Sequence, residues 1–365
     1  MKKLPRDVRS MIFFLMLVTL MPACKKSGNT DGSNPNPQNK KIEHTGKASL
    51  SQPRYGLVAA AAGNKILFAG GWTYNAYSKR VDIYDVVANS WSTAELSEAK
   101  ANLTAAAAGS KIIIAGGYNY DGASNAVDIY DVNTGTWSKK MLDSNRYDLA
   151  AAGAGNKILI AGGFIPGGAS RAVDIYDVTT GQWSKDLLSV GRGKLAAAAA
   201  GNKVYFAGGL GNGDVKSTVV NIYDVSTGNW SVAQLAEGRF LLSGAGTGTK
   251  VIFGGGTLSN ISVSQKVDIY DVSTGSTRPF QLTESKTMVA AAGLDDFILF
   301  AGGLFGNNYY KTVDIYNVSK DEWTKLELSE ARGGAAAAGA GNKILVAGGA
   351  APDYVATVDI FTITK

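Results

Sequence analysis

Residues 195–209 read LAAAAAGNKVYFAGG, and this stretch decides the fold of the whole chain. Variants of it return along the sequence, and each one ends in a Gly-Gly pair. Successive pairs lie 46 or 47 residues apart, and a fixed period of this length indicates a repeat architecture before any local pattern is considered. The seven pairs are Gly70-Gly71, Gly116-Gly117, Gly162-Gly163, Gly208-Gly209, Gly255-Gly256, Gly302-Gly303 and Gly348-Gly349.

Each repeat contains four segments that predict β-strands. In the first repeat they are a small-residue run at 57–62, an apolar run at 66–68, the VDIYDV segment at 81–86, and a segment that begins at Trp91. Turn-forming pairs such as Gly63-Asn64 separate the first two. Four antiparallel strands per period, repeated seven times, predict an all-β, seven-bladed β-propeller. The alanine-rich strand fits the innermost position, because the blades converge at the axis and leave room only for small side chains.

The repeat resembles the kelch repeat in three features. These are the Gly-Gly pair, a Tyr about 14 residues after its first Gly, and a Trp seven residues beyond the Tyr, as in Tyr84 and Trp91. The resemblance covers residues 42–365 and implies a propeller fold. It departs at Thr277, which replaces the Trp of the fifth repeat, and at Lys365, where the chain stops before the seventh Trp.

The end of the chain predicts how the ring closes. The seventh repeat has a third strand at 358–361 but no fourth strand after it. Residues 42–50 align with the fourth-strand position that precedes the first repeat. We therefore expect the N-terminal strand to close the ring by pairing with the last blade.

The N-terminal 41 residues predict export and anchoring rather than folded structure. A basic segment precedes an apolar run at 11–21 that is too short to span a bilayer, which is typical of a signal peptide at 1–23. The residues before Cys24 resemble a bacterial lipobox, which implies a lipidated Cys24; the alternative is an ordinary signal peptide with an incidental cysteine. Residues 24–41 then form the lipidated Cys and a flexible tether, and 42–365 form the propeller. The expected location is the bacterial cell envelope, periplasmic or surface-exposed, with the lipid as the sole membrane attachment.

Charge and composition exclude several classes of function. Residues 1–23 and 25–41 each hold four Lys or Arg and one Asp, so the remaining 28 basic and 28 acidic residues balance despite a net charge of +6. A nucleic-acid partner is not expected, because the propeller has no basic excess. His44 is the one histidine and Cys24 the one cysteine, which predicts no metal site and no cofactor. The acidic residue before each Ile-Tyr, such as Asp82, is expected to be a hydrogen-bonding partner within or between blades.

One repeated feature predicts a binding site. A cation stands 16 residues before each first Gly, in the link to the blade's innermost strand, so seven cations are expected to surround one mouth of the central channel. The loops between second and third strands are expected on the same face and carry aromatic residues. The alternative is that the cations bond loop carbonyls and have a structural role. The candidates are Arg54, Lys100, Arg146, Arg192, Arg239, Lys286 and Arg332, with Trp72, Tyr74, Tyr118, Tyr120 and Phe164.

Three functions remain open at this point. The sequence favours a monomeric, non-enzymatic binding module that presents this face to a glycan or a protein, with blades one to four as the binding arc. The second is a carbohydrate-active enzyme resembling sialic-acid mutarotases, for which Arg146, Arg192 and Glu237 are the acid–base candidates. The third is a structural scaffold within an envelope complex.

Overall fold

The computed structural model describes residues 40–365, which fold into seven four-stranded antiparallel sheets. The predicted signal peptide, Cys24 and nearly all of the predicted tether lie outside these residues. In each sheet a strand of mostly small residues is one edge. The strands follow chain order outwards in blades 1 to 6, whereas the outermost strand of blade 7 is the N-terminal Lys41–Ser49. The seven-bladed propeller predicted from the 46-residue period is therefore confirmed. Within residues 40–365, no helix is long and apolar enough to cross a membrane.

The strand bounds repeat with the same period as the sequence. From the innermost strand outwards they are Val58–Ala62, Lys65–Ala69, Arg80–Asp85 and Ser90–Glu95 in blade 1; Thr104–Ala108, Lys111–Ala115, Ala126–Asp131 and Thr136–Met141 in blade 2; Ala150–Ala154, Lys157–Ala161, Ala172–Asp177 and Trp183–Leu187 in blade 3; Ala196–Ala200, Lys203–Ala207, Val219–Asp224 and Asn229–Gln234 in blade 4; Ser243–Thr247, Lys250–Gly254, Lys266–Asp271 and Thr277–Gln281 in blade 5; Ala290–Leu294, Phe297–Ala301, Thr312–Asn317 and Glu322–Glu327 in blade 6; and Ala336–Ala340, Lys343–Ala347, Thr357–Thr364 and Lys41–Ser49 in blade 7.

The loops between second and third strands carry the remaining regular structure. Four of them form short hairpins, and the loop of blade 4 contains one turn of 3₁₀-helix. The hairpin strands are Tyr118–Asn119 with Gly122–Ala123, Phe164–Ile165 with Gly168–Ala169, Thr257–Ser259 with Ser262–Val263, and Leu304–Phe305 with Asn308–Tyr309; the helical turn is Asn212–Asp214.

The N-terminal strand closes the ring. This was predicted because the seventh repeat has no fourth strand of its own. Lys41–Ser49 pairs antiparallel with Thr357–Thr364 along its length, with one register shift between His44 and Gly46. Ile42 and Ile363 are both buried in the cluster between blades 6 and 7. The first and last strands of the folded chain therefore share one sheet, and backbone hydrogen bonds between them close the ring.

The hydrophobic core is divided among the blade interfaces. Each of the seven buried clusters combines residues of two neighbouring blades, as where Leu67 and Val81 of blade 1 meet Ile112 and Ile114 of blade 2. The outer Tyr and Trp of a repeat pair across strands, and the ring centroids of Tyr130 and Trp137 lie 4.9 Å apart. Because each blade buries its faces only against its neighbours, stability depends on the closed stack.

The Gly-Gly pairs hold neighbouring blades together through the backbone. Gly71 has φ of +96°, and its N–H donates to the carbonyl of Lys100 in the link to blade 2 at 2.9 Å. A Cβ at Gly71 would lie 2.7 Å from the carbonyl oxygen of Tyr55. Glycine is thus required both by the left-handed backbone and by the close approach, as the repeat predicts.

Candidate functional site: the channel-mouth face

The links between blades and the variable loops lie together on one face. The residue after each cation forms a β-bridge with the residue after each Gly-Gly pair, as Tyr55 does with Trp72 and Tyr147 with Phe164. This bridge occurs in all seven blades. We call this surface the channel-mouth face, because the links lead directly to the innermost strands around the axis.

The seven cations do not form an open collar on this face. Each of them has 0% of its surface exposed, so the expectation of a ring that faces the channel is wrong in its geometry. The link directs each side chain back into its own blade, as where Arg54 donates to the carbonyls of Gly70 at 2.9 Å and Arg80 at 2.8 Å. The structural alternative is closer to the observed contacts: six of the cations donate to backbone carbonyls of strands or loops, and Lys286 donates to carboxylates only. The cations concerned are Arg54, Lys100, Arg146, Arg192, Arg239, Lys286 and Arg332.

The acid before each Ile-Tyr is the second partner of these cations. Asp268 accepts from Arg239 at 2.6 Å with one oxygen, and from the backbone N–H of Ala236 at 2.8 Å with the other. Asp359 does the same with Arg332 and Ser329. The expectation of a hydrogen-bonding partner within and between blades is confirmed, since the N–H belongs to the end of the preceding blade.

Blade 4 breaks this pattern at one position. Asn221 replaces the acid, and its Oδ1 accepts from Arg192 at 2.9 Å while its amide donates to Ser189. No carboxylate among residues 40–365 lies within 4.0 Å of the Arg192 guanidinium, although the side chain is fully buried. Burial lowers the pKa of Arg192 to about 10. The charge of this arginine is therefore satisfied only by neutral acceptors.

Four of the cations have a glutamate two residues before them. Three of these glutamates lie near the cation that follows, and the fourth makes a different contact. Glu237, Glu284 and Glu330 lie 3.4 to 3.6 Å from the cations that follow them. Glu98 instead accepts from Ser124 at 2.7 Å. Glu237 is also bound by Lys266 at 2.9 Å. Since Arg146 and Arg192 are fully buried and Glu237 is held by two cations, these three residues do not form an accessible acid–base set.

The predicted aromatic residues do come together, in a band that is longer than expected. Tyr74 stacks on Tyr354 at 4.9 Å, Tyr77 meets Tyr120 at 4.8 Å, and Tyr118 meets Tyr147 at 5.1 Å. The band thus consists of three groups of contacting rings that follow one another over blades 7, 1, 2 and 3. Tyr55 and Tyr147, which the loop pattern missed, are part of it; they follow the cations by one residue, and that position was the available signal. The band comprises Tyr354, Tyr55, Tyr74, Trp72, Tyr77, Tyr120, Tyr118, Tyr147 and Phe164.

A groove lies where this band reaches blade 2. It encloses about 480 Å³ and is lined by Tyr120 together with carboxylate and amide side chains. The Tyr120 ring is 76% exposed, and its hydroxyl donates to the carbonyl of Asn75 at 3.3 Å. We call this site the Tyr120 groove; its other lining residues are Glu98, Ala99, Asn119, Asp121, Ala123, Ser124, Asn125 and Asn145.

The rim of the channel itself is formed by residues that the sequence reasoning did not single out. They stand two residues after each cation, all have φ between +52° and +65°, and all line a cavity of about 300 Å³. In five of the seven neighbouring pairs, the N–H of one rim residue donates to the carbonyl of the one before it. We call them the rim residues: Gly56, Asn102, Asp148, Lys194, Leu241, Met288 and Gly334.

The rim differs in chemistry around its circumference. Asn102, Asp148 and Lys194 are consecutive on one side, and Leu241 and Met288 follow on the other. Burial raises the pKa of the Asp148 carboxyl to about 6, against the opposing effect of the Lys194 charge. The regular spacing of the rim residues could be read from the sequence. Because the residue type at this position varies from blade to blade, the sequence did not show that these residues meet around the channel axis.

Comparisons with known proteins agree with this architecture. The family model described as the Kelch motif matches residues 53–95, 99–140 and 145–185. The solved structure of YjhT superposes with a TM-score of 0.61 at 15% sequence identity, over 76% of this chain and 99% of YjhT. No curated protein matches the chain in sequence.

The three kelch-motif matches and the seven-bladed fold together support a kelch-repeat propeller. At 15% identity the likeness to YjhT concerns the fold alone. A propeller of this type fits a protein-interaction module, because a rigid ring carries variable loops on one face.

Proposed function

We propose that the protein is a non-enzymatic binding module of the bacterial cell envelope, and that its channel-mouth face binds a glycan. The observation that carries the proposal is the Tyr120 groove. A tyrosine ring that is 76% exposed stands there beside side-chain amides and carboxylates.

The chemistry of the groove fits a polyhydroxylated ligand. Sugar hydroxyls both donate and accept hydrogen bonds, and amides offer both functions while carboxylates accept. Asn145 is exposed and makes no side-chain hydrogen bond with the rest of residues 40–365. An exposed aromatic ring supplies the apolar surface against which the C–H face of a sugar packs.

The aromatic band gives the ligand a direction. Tyr118 is 38% exposed and Tyr74 is 58% exposed, so further rings with accessible surface continue from the groove towards blade 7. An oligosaccharide longer than one residue fits such a row better than a single sugar does. The proposed arc therefore covers blades 7, 1, 2 and 3, and it uses tyrosines where the sequence favoured arginines.

Anchoring is the second part of the proposal and is supported by the sequence. A lipid on Cys24 would hold the protein to a membrane, and the polar segment up to residue 41 would separate the propeller from it. The propeller could then turn its channel-mouth face towards envelope glycans.

A glycan array tests the ligand class directly. We expect the purified protein to retain a defined set of oligosaccharides, and Tyr120→Ala to lose at least tenfold in affinity for them. Leu187→Ala is the matched control, because Leu187 is 56% exposed on an outermost strand and away from the groove. An array without retained glycans, or equal binding by Tyr120→Ala, refutes the proposal; loss of a captured protein partner in Tyr120→Ala would instead favour a protein ligand.

A further inference from the structure

The cavity within the channel rim differs from the Tyr120 groove in both position and chemistry. It has about 300 Å³, is lined by all seven blades, and contains two ionisable side chains, Asp148 and Lys194. Neither Tyr120 nor any other residue of the aromatic band lines it. What binds there is therefore a separate question from the function proposed above.

The two charged side chains of the rim lack partners of opposite charge. Among residues 40–365, no cation lies within 4.0 Å of Asp148, no anion within 4.0 Å of Lys194, and neither side chain donates or accepts a hydrogen bond. The Lys194 ammonium lies 5.9 Å from the ring centroid of Phe240. This contrasts with Asp268, which is paired with a guanidinium and a backbone N–H.

The backbone fixes these two residues side by side. The N–H of Lys194 donates to the carbonyl of Asp148 at 2.8 Å, while their charged groups remain more than 4.0 Å apart. A gap thus exists between an anion and a cation at the same rim. Leu241 and Met288 supply an apolar wall beyond Lys194 on the other side of the cavity.

The rim also holds its side chains at a conformational cost. Lys194, Leu241 and Met288 have φ of +52° to +53°, a region that costs an L-residue roughly 1–2 kcal/mol. Glycine, which occupies two rim positions, would avoid that cost. Strained backbone of this kind is concentrated at sites where side chains serve a ligand.

We propose that the channel mouth binds a small zwitterion, an α-amino acid with an aliphatic side chain. Asp148 receives its ammonium group, Lys194 receives its carboxylate, and Leu241 and Met288 contact its side chain. A ligand with only a negative charge would pair with Lys194 but be repelled by Asp148. A ligand with only a positive charge would pair with Asp148 but be repelled by Lys194. Only a ligand that carries both charges neutralises both groups, and the cavity volume is sufficient for one amino acid.

Isothermal titration calorimetry on the purified protein tests this with three probes: L-leucine, L-valine and L-methionine. We expect at least one of them to bind, and its amide, without the carboxylate, and its deaminated acid, without the ammonium, to bind at least tenfold more weakly. Asp148→Asn and Lys194→Met should each lose at least tenfold. Asp143→Asn is the matched control, since Asp143 is an exposed carboxylate paired with Lys185 at the surface.

The pH dependence gives an independent readout. Lys194 is the one charged side chain that faces Asp148 from the other lining residues, so protonation of Asp148 removes the partner of the ligand ammonium. Affinity should fall by up to tenfold per pH unit below about pH 6, and Asp148→Asn should abolish that dependence.

Three results would overturn the inference. They are absence of binding by all three amino acids at millimolar concentration, equal binding of the amide or the deaminated acid, and wild-type affinity in both rim variants. Because neither side chain makes an ion pair or a hydrogen bond within residues 40–365, the variants should keep the thermal midpoint of the wild type to within about 2 °C, and circular dichroism verifies this. Tyr120→Ala should bind the amino acid normally, so failure here and failure of glycan binding are distinguishable.

Discussion

Asn221→Asp should stabilise the propeller, because it gives Arg192 the carboxylate that the other six blades provide. In blade 5 the equivalent Asp268 accepts from Arg239 at 2.6 Å and from the N–H of Ala236 at 2.8 Å. Asn221 makes the first contact with a neutral oxygen and turns its amide towards Ser189. The substitution therefore converts this bond into an ion pair and adds an acceptor for the backbone N–H of Ser189.

The magnitude follows from these two contacts. The bond from the charged Arg192 to Asn221 already falls in the range of about 1.5–3 kcal/mol for hydrogen bonds to charged groups. A carboxylate acceptor moves it up within that range by about 1 kcal/mol, and the new backbone bond contributes about as much. Desolvation of the carboxylate offsets part of this, which leaves roughly 1–2 kcal/mol. With an unfolding entropy of about 2.1 cal/mol/K per residue over the roughly 326 folded residues, the thermal midpoint should rise by about 1.5–3 °C.

Differential scanning calorimetry at pH 7, with urea unfolding as a second measure, is the assay. Asp268→Asn is the reciprocal variant and should lower the midpoint, and Asn229→Asp, at the exposed first residue of the outermost strand of blade 4, controls for the added negative charge. The gain requires an ionised carboxylate, so it should be present above about pH 4 and disappear as the pH falls through the folded-state pKa of the new Asp. An unchanged or lower midpoint for Asn221→Asp, beside a clear loss for Asp268→Asn, would refute the reasoning.

Three further predictions concern closure, the glycine pair and the anchor. Deletion of residues 1–49 should abolish cooperative unfolding, since the strand Lys41–Ser49 then no longer pairs with blade 7; a sharp calorimetric transition near the wild-type midpoint would contradict this. Gly71→Ala should cost about 2 kcal/mol or more of unfolding free energy, because its Cβ would lie 2.7 Å from a carbonyl oxygen at φ of +96°, whereas Gly167→Ala, with nothing within 4 Å, should cost less than about 0.5 kcal/mol by urea titration. Cys24→Ser should move the exported protein from the detergent phase to the aqueous phase in Triton X-114 partitioning, and an unchanged distribution would contradict lipidation.

The fold could be predicted from the sequence almost completely. The Gly-Gly pairs gave the number of blades, and the alanine runs gave the innermost strands. The missing last strand gave the closure, which was predicted for residues 42–50 and lies at 41–49. These features are local or periodic, and a chain that repeats one supersecondary unit seven times must stack its copies to bury their apolar faces.

The site was only partly predictable. The sequence placed the links and loops on one face and named most of the aromatic band, but it assigned the seven cations to the channel surface. Whether these cations are buried depends on the direction of the side chain after a turn in the link, which the sequence does not show. Their partners are also distant in sequence: Arg54 pairs with Asp82, 28 positions later in the chain.

Sequence by itself determined the ring, its closure and the residues that could line a face. Tertiary structure alone decided which of those residues reach solvent and which positions converge on the axis. The rim residues Asp148 and Lys194 are 46 positions apart in the chain and differ from their counterparts in every other blade. They become neighbours because closure of the ring brings equivalent turns of adjacent blades within hydrogen-bonding distance of each other.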